Sequence, residues 1–161
     1  QMSDNQLLPQ VSISGPSIVN VYRWQKLSVK AHASRQTCTG VVQNVFTFKW
    51  SVFSGNNYLP ALSSISSDPT LFSLASYVLN ASTVYTVQVS VYVGTPITLS
   101  TPMASTSVQV NVGSSGVVAA IVGGSSQTLR SNRPISISAS ASYDVDYLRS
   151  LSLFYSWSCI Q

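Results

Sequence analysis

The sequence predicts an all-β fold, an antiparallel β-sandwich, on three observations. Apolar and polar residues alternate along several segments, which is the pattern of strands that bury one face and expose the other. Glycine and proline separate these segments, as they do where strands end in turns. No stretch of ten residues keeps the 3.6-residue period of an amphipathic helix. We therefore expect two packed sheets with hydroxyl-rich outer faces.

The first 113 residues contain the predicted strands in a regular order. The alternation is clearest where Val87, Val89 and Val91 flank Gln88 and Ser90. The segment from Leu71 to Leu79 is expected to be a strand followed by a turn, with a single helical turn as the alternative. The predicted strands are Val11–Ile13, Leu27–Ala33, Phe46–Val52, Leu71–Leu79, Tyr85–Val93 and Val108–Val112. The breakers between them are Gly15-Pro16, Gly55-Asn56-Asn57, Asp68-Pro69 and Gly94-Thr95-Pro96.

An internal repeat sets the domain organisation. Three segments of the first 113 residues recur about 108 residues later, an offset equal to the length of one immunoglobulin-like sandwich. They are residues 11–15, 27–34 and 46–52, which match residues 119–123, 135–142 and 153–159 in that order. Residues 1–113 are therefore predicted to form a complete seven-strand immunoglobulin-like sandwich. Residues 114–116 form a linker, and residues 117–161 form the N-terminal half of a second sandwich. Its later strands are expected from sequence outside this chain or from another chain.

Composition excludes several classes of function. Only 7% of the 161 residues are charged and Glu is absent, so the net charge of +4 comes from the scarcity of acidic residues, while Lys and Arg are scattered singly. Nucleic-acid binding requires a basic stripe, so no nucleic-acid partner is expected. The longest apolar run, Val117–Val122, is far shorter than the roughly 18 residues of a membrane span, so none is expected in this segment. The chain shows no signal peptide and is expected to be part of a larger or processed polypeptide.

Candidate chemistry in the chain is sparse. One histidine, His32, and four aspartates offer no paired acid–base arrangement, so no catalytic residue, cofactor or enzyme activity is expected. Asp144 and Asp146 are weak candidates for calcium ligands, because two carboxylates at i and i+2 can begin such a site. An Asx-type turn that accepts backbone N–H groups is the favoured interpretation of this pair. His32 is expected at the surface, since no other zinc ligand accompanies it.

Two motifs in the second half of the chain resemble a known family. The run Ala139-Ser-Ala-Ser-Tyr-Asp-Val-Asp146 is followed by Leu153-Phe-Tyr-Ser-Trp-Ser-Cys159, and this pairing resembles the REJ (receptor for egg jelly) region of polycystin-like proteins. It is more loosely similar to PKD repeats, but it lacks their Gly-Asp-Gly turn after the tryptophan. The resemblance implies a PKD- or fibronectin-III-like extracellular module of a large cell-surface glycoprotein, located on the cell surface or on a ciliary or flagellar membrane. It implies no catalytic residues.

Five further residues are singled out for structural or surface roles. Trp50 and Trp157 are expected to pack in sandwich cores, and Tyr85 is placed as a tyrosine corner whose hydroxyl bonds to nearby backbone. Trp24 is the candidate for a partner contact. Asn80 begins the single Asn-x-Ser/Thr glycosylation site of the chain.

The two cysteines, Cys38 and Cys159, are disulfide candidates. They are not at equivalent positions of the repeat. They could pair with each other, although pairing of at least one with a residue outside this chain is favoured.

The leading functional hypothesis is a structural spacer and adhesion unit without enzymatic activity. Its expected partners are other extracellular protein domains or glycans, and adjacent modules of the same polypeptide. One alternative is a filament or surface-coat subunit that is completed by strands of a neighbouring chain. Another is a carbohydrate-binding module of a secreted protein, which requires exposed aromatic residues in a row; only Trp24 and Tyr92 hint at such a row.

Overall fold

The protein is all-β, as predicted. The computed structural model describes residues 8–37, 40–41, 46–94, 97–98, 101–149 and 152–160, and these residues contain no helix. The chain divides into two compact units, Gln1–Gly113 and Ser114–Gln161. The strands of the first unit are β1 (Gln10–Ile13), β2 (Ile18–Tyr22), β3 (Leu27–Ser34), β4 (Gln36–Thr37), β5 (Gly40–Val41), β6 (Phe46–Ser54), β7 (Asn57–Tyr58), β8 (Leu71–Leu74), β9 (Thr83–Val93) and β10 (Met103–Gly113). The second unit holds β11 (Val117–Val118) and β12 (Tyr143–Asp144).

The first unit is a β-sandwich of two sheets. One sheet has three strands in the order β1-β3-β8, and the other has five in the order β2-β10-β9-β6-β7. Neighbouring strands are antiparallel except β2 and β10, which run parallel. Within the described residues, the short strands β4 and β5 form a separate two-stranded sheet. The longest strands, β9 and β10, thus lie next to each other inside the larger sheet.

The alternation in the sequence becomes burial in the core of this sandwich. Along β9, Tyr85, Val87, Val89 and Val91 are buried, while the residues between them are partly exposed. The facing sheet contributes a matching row of buried side chains: Leu27, Val29 and Ala31 from β3, and Phe72 and Leu74 from β8. Burial of apolar surface at about 25 cal/mol per Å² makes this interlayer the main source of stability.

Trp50 joins the two parts of the core. Its indole ring is half-buried and packs against both groups of buried residues. The ring centroid lies 5.4 Å from that of Phe72 in the opposite sheet. Its Nε1–H donates a hydrogen bond of 2.9 Å to the Pro69 carbonyl oxygen. The predicted core role of Trp50 is therefore confirmed, with one edge of the ring fixed by backbone.

The loop that carries Pro69 is itself ordered by Asp68. The Asp68 Oδ1 atom accepts hydrogen bonds from the Thr70 hydroxyl at 2.7 Å and the Thr70 N–H at 2.9 Å. These two bonds hold the pKa of the Asp68 carboxyl below its usual value. The Thr70 carbonyl in turn accepts the Ala31 N–H at 2.8 Å. One short loop therefore hydrogen-bonds to β3 in one sheet and to Trp50 in the other.

The strand β2 was not predicted, and neither were the two-residue strands β4, β5 and β7. Val19 and Val21 pack toward the core, but Ile18 and Tyr22 on the opposite face are half exposed. Apolar residues on both faces remove the period-2 signal, because only Asn20 marks the outer face as polar. The strand forms because its backbone pairs with residues 109–113 of β10 at the edge of the larger sheet.

The second unit differs from the strands that the repeat predicts. Residues 119–123, 135–142 and 152–160 contain no assigned strand, and β11 pairs with β12 instead. One hydrogen bond of the first unit nevertheless recurs. The Ser14 N–H donates to the Lys30 carbonyl at 2.8 Å, and at the repeat-equivalent positions the Val122 N–H donates to Ser138 at 2.9 Å. A strand ladder requires a neighbouring strand, and the described part of this unit supplies none for residues 152–160.

Replacing Trp50 by alanine should cost the first unit about 3–5 kcal/mol of unfolding free energy, since it removes a large core side chain. Trp24→Ala is the matched control, because it removes the same side chain from the surface. Chemical denaturation followed by circular dichroism of both variants measures the difference. An equal loss of stability in the two variants would contradict the core role of Trp50.

We expect residues 1–113 to fold cooperatively as a separate fragment, because both sheets of the sandwich lie within it. We expect residues 117–161 to be unfolded or aggregated alone, since a few strands with no covering layer are not stable in water. Amide NMR spectra of the two fragments test this prediction. Dispersed signals from a monomeric 117–161 fragment would show that it is incorrect.

Candidate interaction and glycosylation sites

The glycosylation motif lies in the turn between β8 and β9. The side chains of Asn80 and Ser82 are both exposed, while Ala81 between them is half-buried. Ser82 has a positive φ of 55°, and the Thr83 hydroxyl donates to the Ala81 carbonyl at 3.2 Å. The two residues that define the motif therefore point to solvent from an ordered turn.

Tyr85 fixes the backbone of this turn from the side of the core. Its ring is buried in the core, close to the buried Leu79, and its hydroxyl accepts a hydrogen bond of 3.1 Å from the Asn80 N–H. This is the tyrosine-corner arrangement that the sequence predicts, in which a phenol at the start of a long strand bonds to backbone a few residues upstream. The bond fixes the backbone of the asparagine and leaves its side chain free of the core.

Trp24 lies in an exposed aromatic pair after β2. The rings of Tyr22 and Trp24 are 46% and 45% exposed, and they are stacked with an angle of 4° between their planes and 6.0 Å between their centroids. The turn between them and β3 is held by two reciprocal bonds. The Tyr77 N–H donates to the Arg23 carbonyl at 2.7 Å, and an Arg23 guanidinium N–H donates to the Tyr77 carbonyl at 3.1 Å. The predicted outward position of Trp24 is confirmed.

The second aromatic candidate, Tyr92, lies far from this pair. Tyr92 is opposite Met103 at one end of β10, whereas Tyr22 is opposite Gly113 at the other end. Ten residues of extended strand separate these ends by roughly 33 Å. The Tyr92 ring lies beneath the Lys49 ammonium, whose nitrogen is 5.5 Å from the ring centroid. Trp24 and Tyr92 therefore do not form the row of aromatics that a carbohydrate-binding module requires.

Asp144 and Asp146 use their carboxylates on the backbone. The Asp144 Oδ1 atom accepts the N–H groups of Asp146 and Tyr147 at 2.8 and 3.1 Å, which is the predicted Asx-type turn. The buried Asp146 accepts the Ser115 N–H at 2.6 Å and the Ser114 hydroxyl at 3.3 Å through Oδ2. Across the described ranges, no three His, Cys, Asp or Glu residues cluster as metal ligands. A calcium role for these two residues stays a prediction.

The other candidates of the second unit lie at the surface. Trp157 is 55% exposed, so the expected core packing of this residue is not present, because no opposing sheet covers it within the described residues. Cys159 is an exposed free cysteine. Cys38, the other disulfide candidate, lies outside the described residues. His32, in the first unit, is exposed as predicted.

Replacing Tyr85 by phenylalanine should lower the unfolding free energy by about 1–2 kcal/mol, because the part-buried Asn80 N–H loses its acceptor while the ring packing is kept. Tyr92→Phe is the matched control, since its ring lies on the outer face beneath Lys49. Thermal denaturation of the two variants measures the contrast. Equal stability of Tyr85→Phe and the unchanged protein would show that the hydrogen bond from the Asn80 N–H to the Tyr85 hydroxyl does not stabilise the fold.

Comparisons with known proteins identify the family. The model of the REJ domain matches residues 9–161, nearly the whole chain. REJ domains belong to extracellular regions and are non-catalytic modules. No helix of the described residues is long and apolar enough to cross a membrane.

One solved structure is similar to the chain: the three N-terminal domains of the bacteriophage RB49 Highly Immunogenic Outer Capsid protein (Hoc). The sequences are 16% identical, the alignment covers 70% of this chain and 34% of that one, and the TM-score is 0.41. The chain thus spans about a third of the length of that structure. No curated protein matches the chain. Because the family match extends over both units, the chain belongs to the REJ domain family.

Proposed function

We propose that this chain is a non-enzymatic extracellular module of a large polycystin-like glycoprotein on the cell surface or on a ciliary or flagellar membrane. In this role it spaces neighbouring modules of the same polypeptide and contributes an adhesion surface. The observation that carries the proposal is the exposed Asn-x-Ser motif at Asn80, held in an ordered turn by Tyr85. N-linked glycan is added in the secretory pathway, so an occupied Asn80 would require an extracellular or luminal location.

The composition of the surface supports this location. Charged residues are few, and the outer faces of the strands carry mainly hydroxyl and amide groups, as in the Asn20–Asn111–Gln109 chain of side-chain hydrogen bonds. A surface with little charge has little electrostatic protection against association. A hydrophilic glycan at the β8–β9 turn would help keep such a module soluble.

The adhesion surface in this proposal is the Tyr22–Trp24 pair. Tyrosine, tryptophan and arginine are enriched among residues that dominate protein–protein binding energy, and all three occur within this turn. Because the Arg23–Tyr77 bonds order the turn, little conformational entropy would be lost when a partner covers the rings. The partner in this proposal is another extracellular domain that lays an apolar surface on the rings.

We expect Asn80 to carry N-linked glycan when the chain is secreted from eukaryotic cells. Intact-glycopeptide mass spectrometry of the peptide that contains Asn80 measures occupancy. Ser82→Ala should abolish the modification because it destroys the motif, and Ser82→Thr should retain it. These two variants separate loss of the motif from disturbance of the turn.

A wholly unmodified Asn80 peptide in secreted protein would contradict the proposed glycan. It would also remove the main support for the extracellular location of this chain. Occupancy in both Ser82→Ala and Ser82→Thr would show that the attached group is not an N-linked glycan.

A further inference from the structure

Two strained backbone positions lie on either side of Asn80. Among the described residues other than glycine, positive φ angles occur at Tyr77, at 66°, and at Ser82, at 55°. Residues with a side chain rarely adopt this left-handed conformation, and for a bulky residue such as tyrosine it is an outlier. Strain of this kind persists where the surrounding structure imposes it, and it clusters at functional sites. The strained positions therefore draw attention to the turn that carries the glycosylation motif.

Hydrogen bonds to Arg23 impose the conformation of Tyr77. The Tyr77 N–H donates to the Arg23 carbonyl at 2.7 Å, and the Tyr77 carbonyl accepts an Arg23 guanidinium N–H at 3.1 Å. The side chain of Tyr77 is nevertheless 37% exposed, and that of the neighbouring Val78 is 44% exposed. A group that covered these two side chains would bury apolar surface that the chain alone leaves in water.

Asn80 lies within reach of this exposed surface. Three residues span at most about 11 Å even when they are fully extended, and here they lie in a turn. Leu79 is buried in the core, and the Asn80 N–H donates to the Tyr85 hydroxyl, so the backbone of this segment is fixed. The Asn80 side chain is exposed, as is that of Tyr77. A sugar attached to Asn80 can therefore contact Tyr77 while the turn keeps its conformation.

The first sugar of an N-linked glycan has the chemistry that such a contact requires. It is N-acetylglucosamine, and one face of its ring presents C–H groups in place of hydroxyls. The face of an aromatic ring carries negative partial charge and attracts these C–H groups, while their contact removes apolar surface from water. Tyrosine suits this role because its hydroxyl can stay in solvent when its ring is covered.

We propose that Tyr77 and Val78 form the binding surface for the first N-acetylglucosamine of the glycan on Asn80, which packs its apolar face on the Tyr77 ring. This inference rests on the proposed glycan and gives it a structural role. Because the sugar is tethered beside its binding surface, its effective concentration there is high. The turn is ordered before the sugar arrives, so the contact costs little conformational entropy. The contact exists only in the folded chain, and the sugar therefore stabilises the first unit.

The test measures the effect of a single sugar with and without the Tyr77 ring. The 161-residue chain is secreted from cells that make only high-mannose glycans, and endoglycosidase H then trims the glycan to one N-acetylglucosamine. The same chain made in bacteria lacks the sugar. Thermal unfolding of both forms is compared for the unchanged chain, Tyr77→Phe, Tyr77→Asn and Trp24→Ala. Comparison of the variants cancels any difference between the hosts, such as cysteine oxidation.

We expect the sugar to raise the Tm of the unchanged chain by roughly 2–6 °C, the shift that one aromatic contact gives in a domain of this size. Tyr77→Phe and Trp24→Ala should keep this gain, because both leave the proposed surface in place. Tyr77→Asn should abolish it, since asparagine tolerates a positive φ but has no aromatic face. NMR of the trimmed chain gives a readout that does not depend on stability: the sugar C–H signals should shift upfield and show contacts to the Tyr77 ring protons.

The outcomes separate this inference from the glycan on which it rests. A mass spectrum that shows Asn80 unmodified would overturn both. An occupied Asn80 whose sugar changes the Tm of Tyr77→Asn as much as that of the unchanged chain, or makes no NMR contact to the Tyr77 ring, would overturn this inference alone. A gain that is kept in Tyr77→Asn and lost in Trp24→Ala would place the sugar on the Tyr22–Trp24 pair, which also contradicts the proposed contact.

Discussion

The first unit depends on the position of Trp50 between its two sheets. The indole contacts both groups of buried residues, lies against Phe72 of the opposite sheet and donates its N–H to the Pro69 carbonyl. This hydrogen bond ties the loop at Pro69 to β6. The same loop accepts the Ala31 N–H from β3. The packing of Trp50 and the position of the loop at Pro69 therefore depend on each other.

The candidate functional groups are held by turns that this sandwich supports. Tyr85 bonds to the backbone of Asn80 from the core, which orders the glycosylation motif without burying its side chain. The Arg23–Tyr77 bonds order the turn that presents Trp24. In both places, hydrogen bonds to a residue outside the turn hold the backbone of the turn in position. Exposed groups on rigid turns are the usual arrangement for recognition on a β-sandwich.

A strand of this fold could be predicted from the sequence where only one of its two faces is apolar. The strands β3 and β9 were predictable because each has one apolar face and one polar face, so burial and periodicity agree. The strand β2 was not, because Ile18 and Tyr22 are apolar on an outer face. The tyrosine corner was predictable from the position of Tyr85 alone. The Arg23–Tyr77 bonds were not, since they join residues that are 54 positions apart in the sequence.

The second unit shows that the pattern of a strand and the burial of a strand are separate properties. Residues 135–142 and 153–159 carry the same apolar positions as β3 and β6, yet Ile135, Ile137 and Trp157 remain exposed. Burial in the first unit comes from the packing of its two sheets against each other, as where Trp50 of β6 lies against Phe72 of β8. The alternation in the sequence therefore shows which face of a segment is suited to burial. The segment becomes part of a sheet only where a neighbouring strand pairs with it. One REJ match spans residues 9–161, so both units belong to the same family module.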